Sequence, residues 1–325
     1  MTIHRIGVIG VGYLGRFHAH KYAALAGADL IGVADPLAEQ GQKVAAECAC
    51  AYFADYRTLV DQVDAVSIAV PTSLHHQVAK YCLAAGKDVL LEKPITVTLA
   101  EADELIEIAD KNSCILQVGH LERFNPAVQA MEPFLTEPVF IESNRISVFK
   151  NRGTDVDVVL DLMIHDIDII LNIIKSPLDH IHTVGAPVVT ATTDIANARL
   201  IFANGATANV TVSRVARASI RKMRVFQPGS YLTVDFAKKK ILTIQLLDEV
   251  LPSGMLRQDI KVASFGEGDA LKSEIEHFLD HIGSRIQPAV SGREGRRALE
   301  IALQVMDQIK KHQQMPVFRN YFKTH

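Results

Sequence analysis

The chain of 325 residues carries a net charge of −3 and is 48% hydrophobic, which is typical of a globular protein with one or two domains. No global basic field recruits nucleic acid or an anionic membrane, and no apolar run reaches the roughly 18 residues of a membrane span. A strand begins near the N-terminus without a signal-peptide pattern, so a cytoplasmic protein is expected. The four scattered cysteines complete no metal-binding pattern, and no metal is expected.

Short apolar strands alternate with helical segments in the first part of the chain. Strands are predicted at "IHRIGVIG", "DLIGVAD", "AVSIAV", "DVLLEK" and "CILQVG", and helices at 13–26, 36–47, 74–85 and 98–111. Buried strands separated by helices form parallel sheets that are covered on both faces. Residues 1–119 are therefore predicted to form an α/β domain with a doubly wound parallel sheet.

The second part of the chain has a different pattern. A helix is predicted at "NPAVQAMEPFL", a strand at "VFIESNRISVF", an apolar helix at 158–174, then six β-type segments, and finally helices at 270–286 and 293–313. This order favours an α+β domain at 120–325, built on a large, mostly antiparallel open sheet. A sheet of that width with one helical face often pairs with another subunit, so a homo-oligomer, either a dimer or a tetramer, is expected.

A glycine-rich loop follows the first predicted strand. Gly10, Gly12 and Gly15 in "GVIGVGYLGRFH" permit a tight turn, close approach of a pyrophosphate and close packing of helix on strand. Asp35, at the end of the second strand, is placed to accept hydrogen bonds from a ribose 2′-hydroxyl, which favours NAD over NADP. The alternative is a glycine-rich turn followed by an aspartate that only caps the next helix.

Lys93 lies at the carboxyl end of a buried strand, in "DVLLEKPITV". Ligands of open α/β sheets bind at that edge, where partial burial prepares a lysine for proton transfer. A cis bond between Lys93 and Pro94 is compatible with this sequence. The alternative is an ordinary surface lysine at a strand end.

The apolar segment "VVLDLMIHDIDIILNII" contains a narrow polar stripe. At about 100° per residue, Asp161, His165, Asp168 and Asn172 fall within about 60° of one another. A carboxylate one turn from an imidazole can orient it as a general base. The alternative is a solvated stripe whose acids lie near the positive end of the helix.

Together these motifs resemble the Gfo/Idh/MocA oxidoreductase family. The resemblance rests on "GVIGVGYLGRFH", "VPTSLHHQVAKYCLAAGKDVLLEKP", "DLMIHDID" and "AVSGREGRRALEIALQV". It implies a Rossmann domain, a second domain with a large open sheet, and a last helix that packs back on the first domain. It also implies that Lys93, Asp161 and His165 are catalytic, with Lys93 and His165 both directed at one hydroxyl and either of them the base.

A narrower resemblance rests on "GHLERFNPAV", "NRGTDVDVVLDLMIHDIDI" and "SRVARASIRKMRVFQ". These segments look like the branch of the family that oxidises UDP-N-acetylglucosamine at sugar carbon 3 with NAD. Two other readings remain open: a dehydrogenase of inositol or another free polyol, and a non-catalytic NAD-binding sensor.

The expected ligand contacts follow from these motifs. NAD is expected to contact residues of the glycine loop and of the strand ends, namely Gly10, Gly12, Tyr13, Leu14, Gly15, Asp35, Pro71, Thr72, Glu92, Lys93 and His120. The small-molecule substrate, a UDP-sugar, is expected to contact polar residues of the second domain, namely Arg123, Asn125, Arg152, Asp168 and Asn172. Further cations for a diphosphate are Arg145, Arg214, Arg217 and Arg221, and for each arginine the alternative is a solvated basic face.

Overall fold

The computed structural model describes residues 3–149, 156–266 and 268–315. Its strands are β1 His4–Ile9, β2 Ala28–Ala34, β3 Ala51–Phe53, β4 Ala65–Ile68, β5 Asp88–Glu92, β6 Leu116–Gly119, β7 Phe140–Val148, β8 Leu178–Ala186, β9 Ile195–Phe202, β10 Thr207–Ala216, β11 Ile220–Gln227, β12 Ser230–Asp235, β13 Lys240–Val250 and β14 Leu256–Ser264. Its α-helices are α1 Tyr13–Ala24, α2 Ala38–Cys48, α3 Tyr56–Val60, α4 Thr72–Ala84, α5 Leu99–Lys111, α6 Pro126–Gln129, α7 Ile164–Ile173, α8 Ala270–Ser284 and α9 Gly292–Gln313.

The chain divides into two units. The first unit contains Met1–Phe124 and Asp269–Leu299, and the second contains Asn125–Gly268 and Glu300–His325. The first unit thus includes α8 and the beginning of α9, and the second includes the rest of α9.

The sheet of the first unit has the strand order β3-β2-β1-β4-β5-β6, and all its neighbouring strands are parallel. The predicted doubly wound parallel sheet is therefore confirmed. The strand order reverses between β1 and β4, which is where ligands bind in such sheets. The loops that follow these two strands meet there, because a Cβ added to Gly10 would lie 2.8 Å from a side-chain carbon of Val70.

Apolar packing holds α1 and α8 on this sheet. Tyr22 of α1 and Ile275 and Phe278 of α8 are fully buried and share one core cluster with Ile6 and Val8 of β1. Burying a side chain of this size contributes roughly 1.5–3 kcal/mol, so α8 is an integral part of the first unit although nearly 150 residues separate it from β6 in sequence.

The sheet of the second unit has the order β14-β13-β12-β11-β7-β10-β9-β8, with one parallel pair, β7 and β10, among antiparallel neighbours. This confirms the predicted large, mostly antiparallel sheet. Along β7 every second side chain is buried, at Ile141, Ser143 and Arg145, as expected for a strand with one face against helices. The later part of α9 lies on β8, where a Cβ on Gly185 would come within 2.8 Å of Ile309.

Several segments differ from the sequence prediction, among them the short helix α3, which was not predicted. The predicted helix "NPAVQAMEPFL" is two short turns, α6 and Glu132–Phe134, because Pro133 cannot continue a helix that starts at Pro126. The edge strands β3 and β14 were not predicted; β14 is highly charged and exposed, which is typical of an edge strand. Within the described residues, no helix is both long and apolar enough to cross a membrane.

Candidate functional site

The glycine loop between β1 and α1 has the geometry of a phosphate-binding turn. Gly10 has φ +80°, and a Cβ on Gly15 would lie 1.8 Å from the Gly10 carbonyl oxygen, so both positions require glycine. A Cβ on Gly12, by contrast, would meet no atom of the described residues within 4 Å. No side chain caps the start of α1 and its first turn holds no acidic residue. Open space beside uncapped amides at a helix start fits a pyrophosphate.

Asp35 is fixed at the end of β2 beside this loop. Its Oδ2 accepts a hydrogen bond from the Val11 amide at 2.9 Å, and its Oδ1 accepts one from the Leu37 amide at 2.9 Å. Each carboxylate oxygen retains a second lone pair, and the residue is 8% exposed. Asp35 can therefore accept further hydrogen bonds from a ribose while its own orientation stays fixed.

The loops after β4 and β5 are joined by a buried histidine that the sequence reading did not use. His75 has Nδ1 at 2.8 Å from the Pro94 carbonyl oxygen and Nε2 at 3.0 Å from the Val70 carbonyl oxygen. Burial lowers the pKa of His75, against the effect of these carbonyls. A neutral ring can donate a hydrogen bond to only one of the two carbonyls, and its other nitrogen then only contacts the second. His75 ties the loop that begins at Pro71 to the turn at Lys93 and Pro94, whose connecting peptide bond is cis.

Glu92 and Lys93 lie at the end of β5, and both side chains are partly buried. The Glu92 carboxylate contacts His18 Nε2 at 3.0 Å and accepts a hydrogen bond from the Lys93 amide at 3.3 Å. Although burial opposes ionisation, the hydrogen bond from His18 holds the pKa of Glu92 below its ordinary value. An anionic side chain therefore lies directly beside the strand end that carries the Lys93 side chain.

Two further expected contacts of the first unit lie just beyond β6. His120 is fully buried, and Arg123 donates a hydrogen bond to the Ala289 carbonyl oxygen at 3.3 Å. The side chains of Tyr13 and Leu14, at the start of α1, are 62% and 47% exposed. Thr72 is the first residue of α4, and Pro71 precedes it.

The helix that was predicted to carry the polar stripe is not uniform. Val159–Met163 forms a π-helical turn and α7 begins at Ile164. A π turn is wider than an α turn, so the assumed 100° per residue fails at Asp161, and such turns occur frequently at functional sites. His165, Asp168 and Asn172 remain within the regular helix; Asp168 is buried, whereas Asp161, His165 and Asn172 are partly exposed.

A buried ion pair attaches α7 to the sheet. Arg145 of β7 donates to Asp166 from Nε at 2.8 Å and from a terminal nitrogen at 3.1 Å, and Ser143 Oγ donates to the same carboxylate at 3.0 Å. The Arg145 and Asp166 side chains are 3% and 0% exposed. Asp166 immediately follows His165, so this pair fixes the part of the helix that carries the candidate base.

Two arginines proposed for diphosphate binding are corrected by the structure. Arg145 is committed to Asp166, and Arg214 donates to Asp194 at 2.9 Å with a side chain that is 8% exposed. Both guanidinium groups therefore neutralise buried carboxylates. Arg217 and Arg221 are exposed and remain candidates, whereas Arg152 lies outside the described residues.

Asn125, which is expected to contact the substrate, makes hydrogen bonds within the second unit. Its Oδ1 accepts the Ala127 amide at 3.1 Å, which caps α6, and its Nδ2 donates to the Phe236 carbonyl oxygen at 3.2 Å. With the residue 6% exposed, these bonds give it a structural role. Asn172 accepts a hydrogen bond from Lys175 at 3.0 Å and stays at the surface.

Comparisons with known proteins identify the family of the chain. Residues 4–120 match the model of the Gfo/Idh/MocA oxidoreductase family, NAD-binding Rossmann fold, and residues 140–227 match a Gfo/Idh/MocA C-terminal domain. The chain is 40% identical to the UDP-N-acetylglucosamine 3-dehydrogenase of Acidithiobacillus ferrooxidans over 302 residues, which covers 93% of this chain and 96% of that protein.

Solved structures and a second relative extend the comparison. A structure of the UDP-N-acetylglucosamine 3-dehydrogenase of Acidithiobacillus ferrooxidans matches with a TM-score of 0.89 and 39% identity, covering 97% of this chain and all of that one. The myo-inositol 2-dehydrogenase of Thermotoga maritima is 27% identical over 317 residues, which covers 91% of this chain and 93% of that protein.

Proposed function

The chain belongs to the Gfo/Idh/MocA oxidoreductase family, and from that premise we propose that it oxidises UDP-N-acetylglucosamine to its 3-keto derivative. The observation that carries the proposal is the 40% identity, over 93% of this chain, to an enzyme of that name. The 27% identity to a myo-inositol dehydrogenase keeps a free polyol as the second candidate substrate.

When bound, NAD would supply the acceptor for the hydride that leaves the sugar carbon. The proposal assigns the pyrophosphate to the amides at the start of α1, where Gly12 leaves open space. Asp35 accepts hydrogen bonds from the ribose through the carboxylate lone pairs that the Val11 and Leu37 amides do not use. Its negative charge also disfavours a 2′-phosphate, so NAD is preferred to NADP.

The proton of the reacting hydroxyl passes to the chain's own side chains. In the proposal, His165 accepts it while Asp161, four residues earlier, orients the imidazole. Lys93 donates a hydrogen bond to the same oxygen and stabilises the negative charge that develops on it. The roles of Lys93 and His165 can be exchanged without changing the overall reaction.

The remaining polar residues of α7 and the exposed cations are proposed for the substrate. Asp168 and Asn172 accept hydrogen bonds from neighbouring sugar hydroxyls. Arg123, with Arg217 and Arg221, supplies positive charge for the diphosphate; the exposure of the last two supports this assignment.

A substrate panel tests the proposal. Formation of reduced nicotinamide is measured with UDP-N-acetylglucosamine, UDP-glucose, free N-acetylglucosamine and myo-inositol, each with NAD and with NADP. We expect turnover with UDP-N-acetylglucosamine and NAD, and reduction of the product with borodeuteride should place the label at sugar carbon 3. Turnover with myo-inositol alone would replace the proposal by the second candidate, and NAD binding without turnover on any substrate would favour a sensor.

The Lys93→Met variant tests the assignment within the enzyme. It should lose nearly all turnover and bind NAD with little change, because the substitution removes the ammonium and keeps most of the side-chain volume. A variant with ordinary turnover would remove Lys93 from the mechanism.

The proposal includes assembly of identical subunits through the sheet of the second unit. Phe140, Phe226, Tyr231, Ile244 and Ile260 are opposite one another on β7, β11, β12, β13 and β14, and this row is partly or fully exposed. A large apolar row on an open sheet face favours a protein partner. Ile260→Asp should dissociate the oligomer in light-scattering measurements, whereas Ile286→Asp, at an exposed site on the first unit, should not.

We further propose a cytoplasmic location. All four cysteines are free thiols, as is usual in reducing compartments. Cell fractionation with an antibody to the chain tests this point.

A further inference from the structure

A buried carboxyl group that the proposed reaction does not use lies on α8. Glu274 is fully buried, and neither of its carboxylate oxygens has a hydrogen-bond partner among the described residues. An ionised carboxylate in this state would carry a large, uncompensated desolvation cost. Its position requires an explanation.

Its neighbours are a second carboxylate and an imidazole. One ligand-type atom from each of His18, Glu92 and Glu274 lies within 4.8 Å of the other two. The hydrogen-bond donors at this cluster are directed to Glu92, which contacts His18 Nε2 at 3.0 Å and the Lys93 amide at 3.3 Å. Glu92 therefore has partners that suit an anion, and Glu274 has none.

Further polar groups lie near the cluster on β4, α1, β6 and α8, and His75 of α4 acts on the charge of Glu92. Ser67 Oγ of β4 lies 2.7 Å from His18 Nδ1, and the buried Tyr22 belongs to α1. Gln117 of β6 donates to the Glu274 carbonyl oxygen at 3.1 Å and contacts His277 Nδ1 at 2.9 Å. Burial and the nearby His281 lower the pKa of His277 to about 4, so His277 brings no positive charge near pH 7.

Two like charges this close in a buried site cannot both persist, and one carboxyl of such a pair keeps its proton. Burial, and then the negative charge of Glu92, raise the pKa of Glu274 well above its ordinary value. The pKa of Glu92 is shifted the other way. Both pKa directions agree with the hydrogen bonds, because donors reach the Glu92 carboxylate and none of the described residues donates to the Glu274 carboxyl oxygens.

We propose that Glu274 is a positioning residue that keeps its proton near pH 7, and that its carboxyl O–H is directed at the Glu92 carboxylate and holds it beside Lys93. This inference rests on the proposed function for the role of Lys93, but the protonation of Glu274 does not. The neutral Glu274 limits the negative charge beside Lys93 to that of Glu92. An ionised Glu274 would add a second negative charge to the same buried cluster.

Three variants separate this role from simple packing. Glu274→Gln keeps a neutral donor of similar shape, and Glu274→Leu keeps the volume but removes the donor. Glu276→Gln changes an exposed glutamate on the same helix and serves as the control.

The infrared spectrum near pH 7 reports the protonation state of the Glu274 carboxyl group directly, and this measurement does not require enzyme activity. The native protein and Glu276→Gln should show the carbonyl stretch of an un-ionised carboxylic acid, and Glu274→Gln should lack it. A band that persists in Glu274→Gln, or that is absent from the native protein, would overturn the proposal.

Stability against pH provides a second readout without substrate. Because the folded-state pKa of Glu274 is raised, the contribution of Glu274 to the stability of the native protein falls as pH rises above about 4.3, the unfolded-state value. Glu274→Gln should therefore have a higher Tm than the native protein at pH 8 and an equal Tm near pH 4. A lower Tm for Glu274→Gln at pH 8 would indicate an ionised Glu274 and contradict the inference.

Kinetics then test the link to Lys93. Glu274→Gln should keep kcat and its pH profile, whereas Glu274→Leu should lower kcat by about tenfold, as expected for one lost hydrogen bond to a charged group, with little change in the KM for NAD. Equal activity of the two variants would reduce Glu274 to a packing role. The native protein could instead bind one equivalent of divalent metal that Glu274→Gln does not bind. That result would contradict the protonated Glu274 and indicate a cation site. If the infrared and Tm results hold but no substrate is turned over, the protonated Glu274 stands and the proposed function fails.

Discussion

Replacing Asp166 by Asn should destabilise the second unit strongly. The substitution keeps the side-chain shape but leaves the Arg145 guanidinium without a counter-charge at a site where both side chains are at most 3% exposed. Breaking a buried ion pair from one side costs about 3–5 kcal/mol. Two N–H···O bonds of 2.8 and 3.1 Å and the hydroxyl of Ser143 show that the native carboxylate is well satisfied.

Thermal and urea unfolding measure this loss. At about 2–4 °C per kcal/mol for a unit of this size, Tm should fall by roughly 6–20 °C. Glu142→Gln on the same strand is the control, because its pair with Arg224 is exposed and is expected to contribute at most about 1 kcal/mol. A loss below about 1 kcal/mol in Asp166→Asn would refute the reasoning. The double variant Arg145→Met with Asp166→Leu should recover most of the stability, since a packed apolar pair avoids the desolvation cost.

The remaining predictions concern the cofactor site and one buried carboxylate. Gly12→Ala should leave the Tm of the free protein unchanged, because the added Cβ meets no atom, but weaken NAD binding measured by calorimetry; unchanged affinity would remove the pyrophosphate from this loop. Asp35→Asn should shift the ratio of kcat/KM for NADP over NAD upward by about tenfold, equivalent to 1.4 kcal/mol, and an unchanged ratio would contradict its role in cofactor choice. Although burial opposes ionisation, the amides of Thr190, Val189 and Val188 lower the pKa of Asp194 to about 2, so the stability that it contributes is present above about 3.9 and lost as pH falls through about 2. Asp194→Asn should therefore be less stable than the native protein at pH 7, with a difference that shrinks below pH 4 and vanishes near pH 2 in urea titrations.

Local patterns made the first unit predictable. Its strands are short, mostly apolar and separated by helices, and Gly10 and Gly15 occupy positions that only glycine permits. The second sheet was predictable for the same kind of reason, because inward and outward residues alternate along strands such as β7.

The sequence did not allow us to predict which side chains share a face of the helix around His165. No residue type in Val159–Met163 indicates a π turn. The extra residue in such a turn changes the angular position of all preceding side chains relative to those of the following α-helix. The pairing of Asp166 with Arg145 was therefore missed, although one signal was present: Arg145 occupies an inward position on an alternating strand, where an unpaired cation would be costly.

Contacts between residues that are distant in sequence also could not be predicted from the sequence pattern. Glu274 and His18 are 256 positions apart and meet only because α8 packs on α1 in the first unit. Neither residue lies in a recognisable motif with the other, so their relation to Glu92 requires the tertiary structure.

The most direct test of the central claim is transfer of deuterium from UDP-N-acetylglucosamine labelled at sugar carbon 3. The protein is mixed with the labelled substrate and NAD, and the reduced nicotinamide is analysed by mass spectrometry. The account predicts one deuterium in the reduced cofactor and a 3-keto product without label. Reduced cofactor without deuterium, or a product that retains the label, would contradict it.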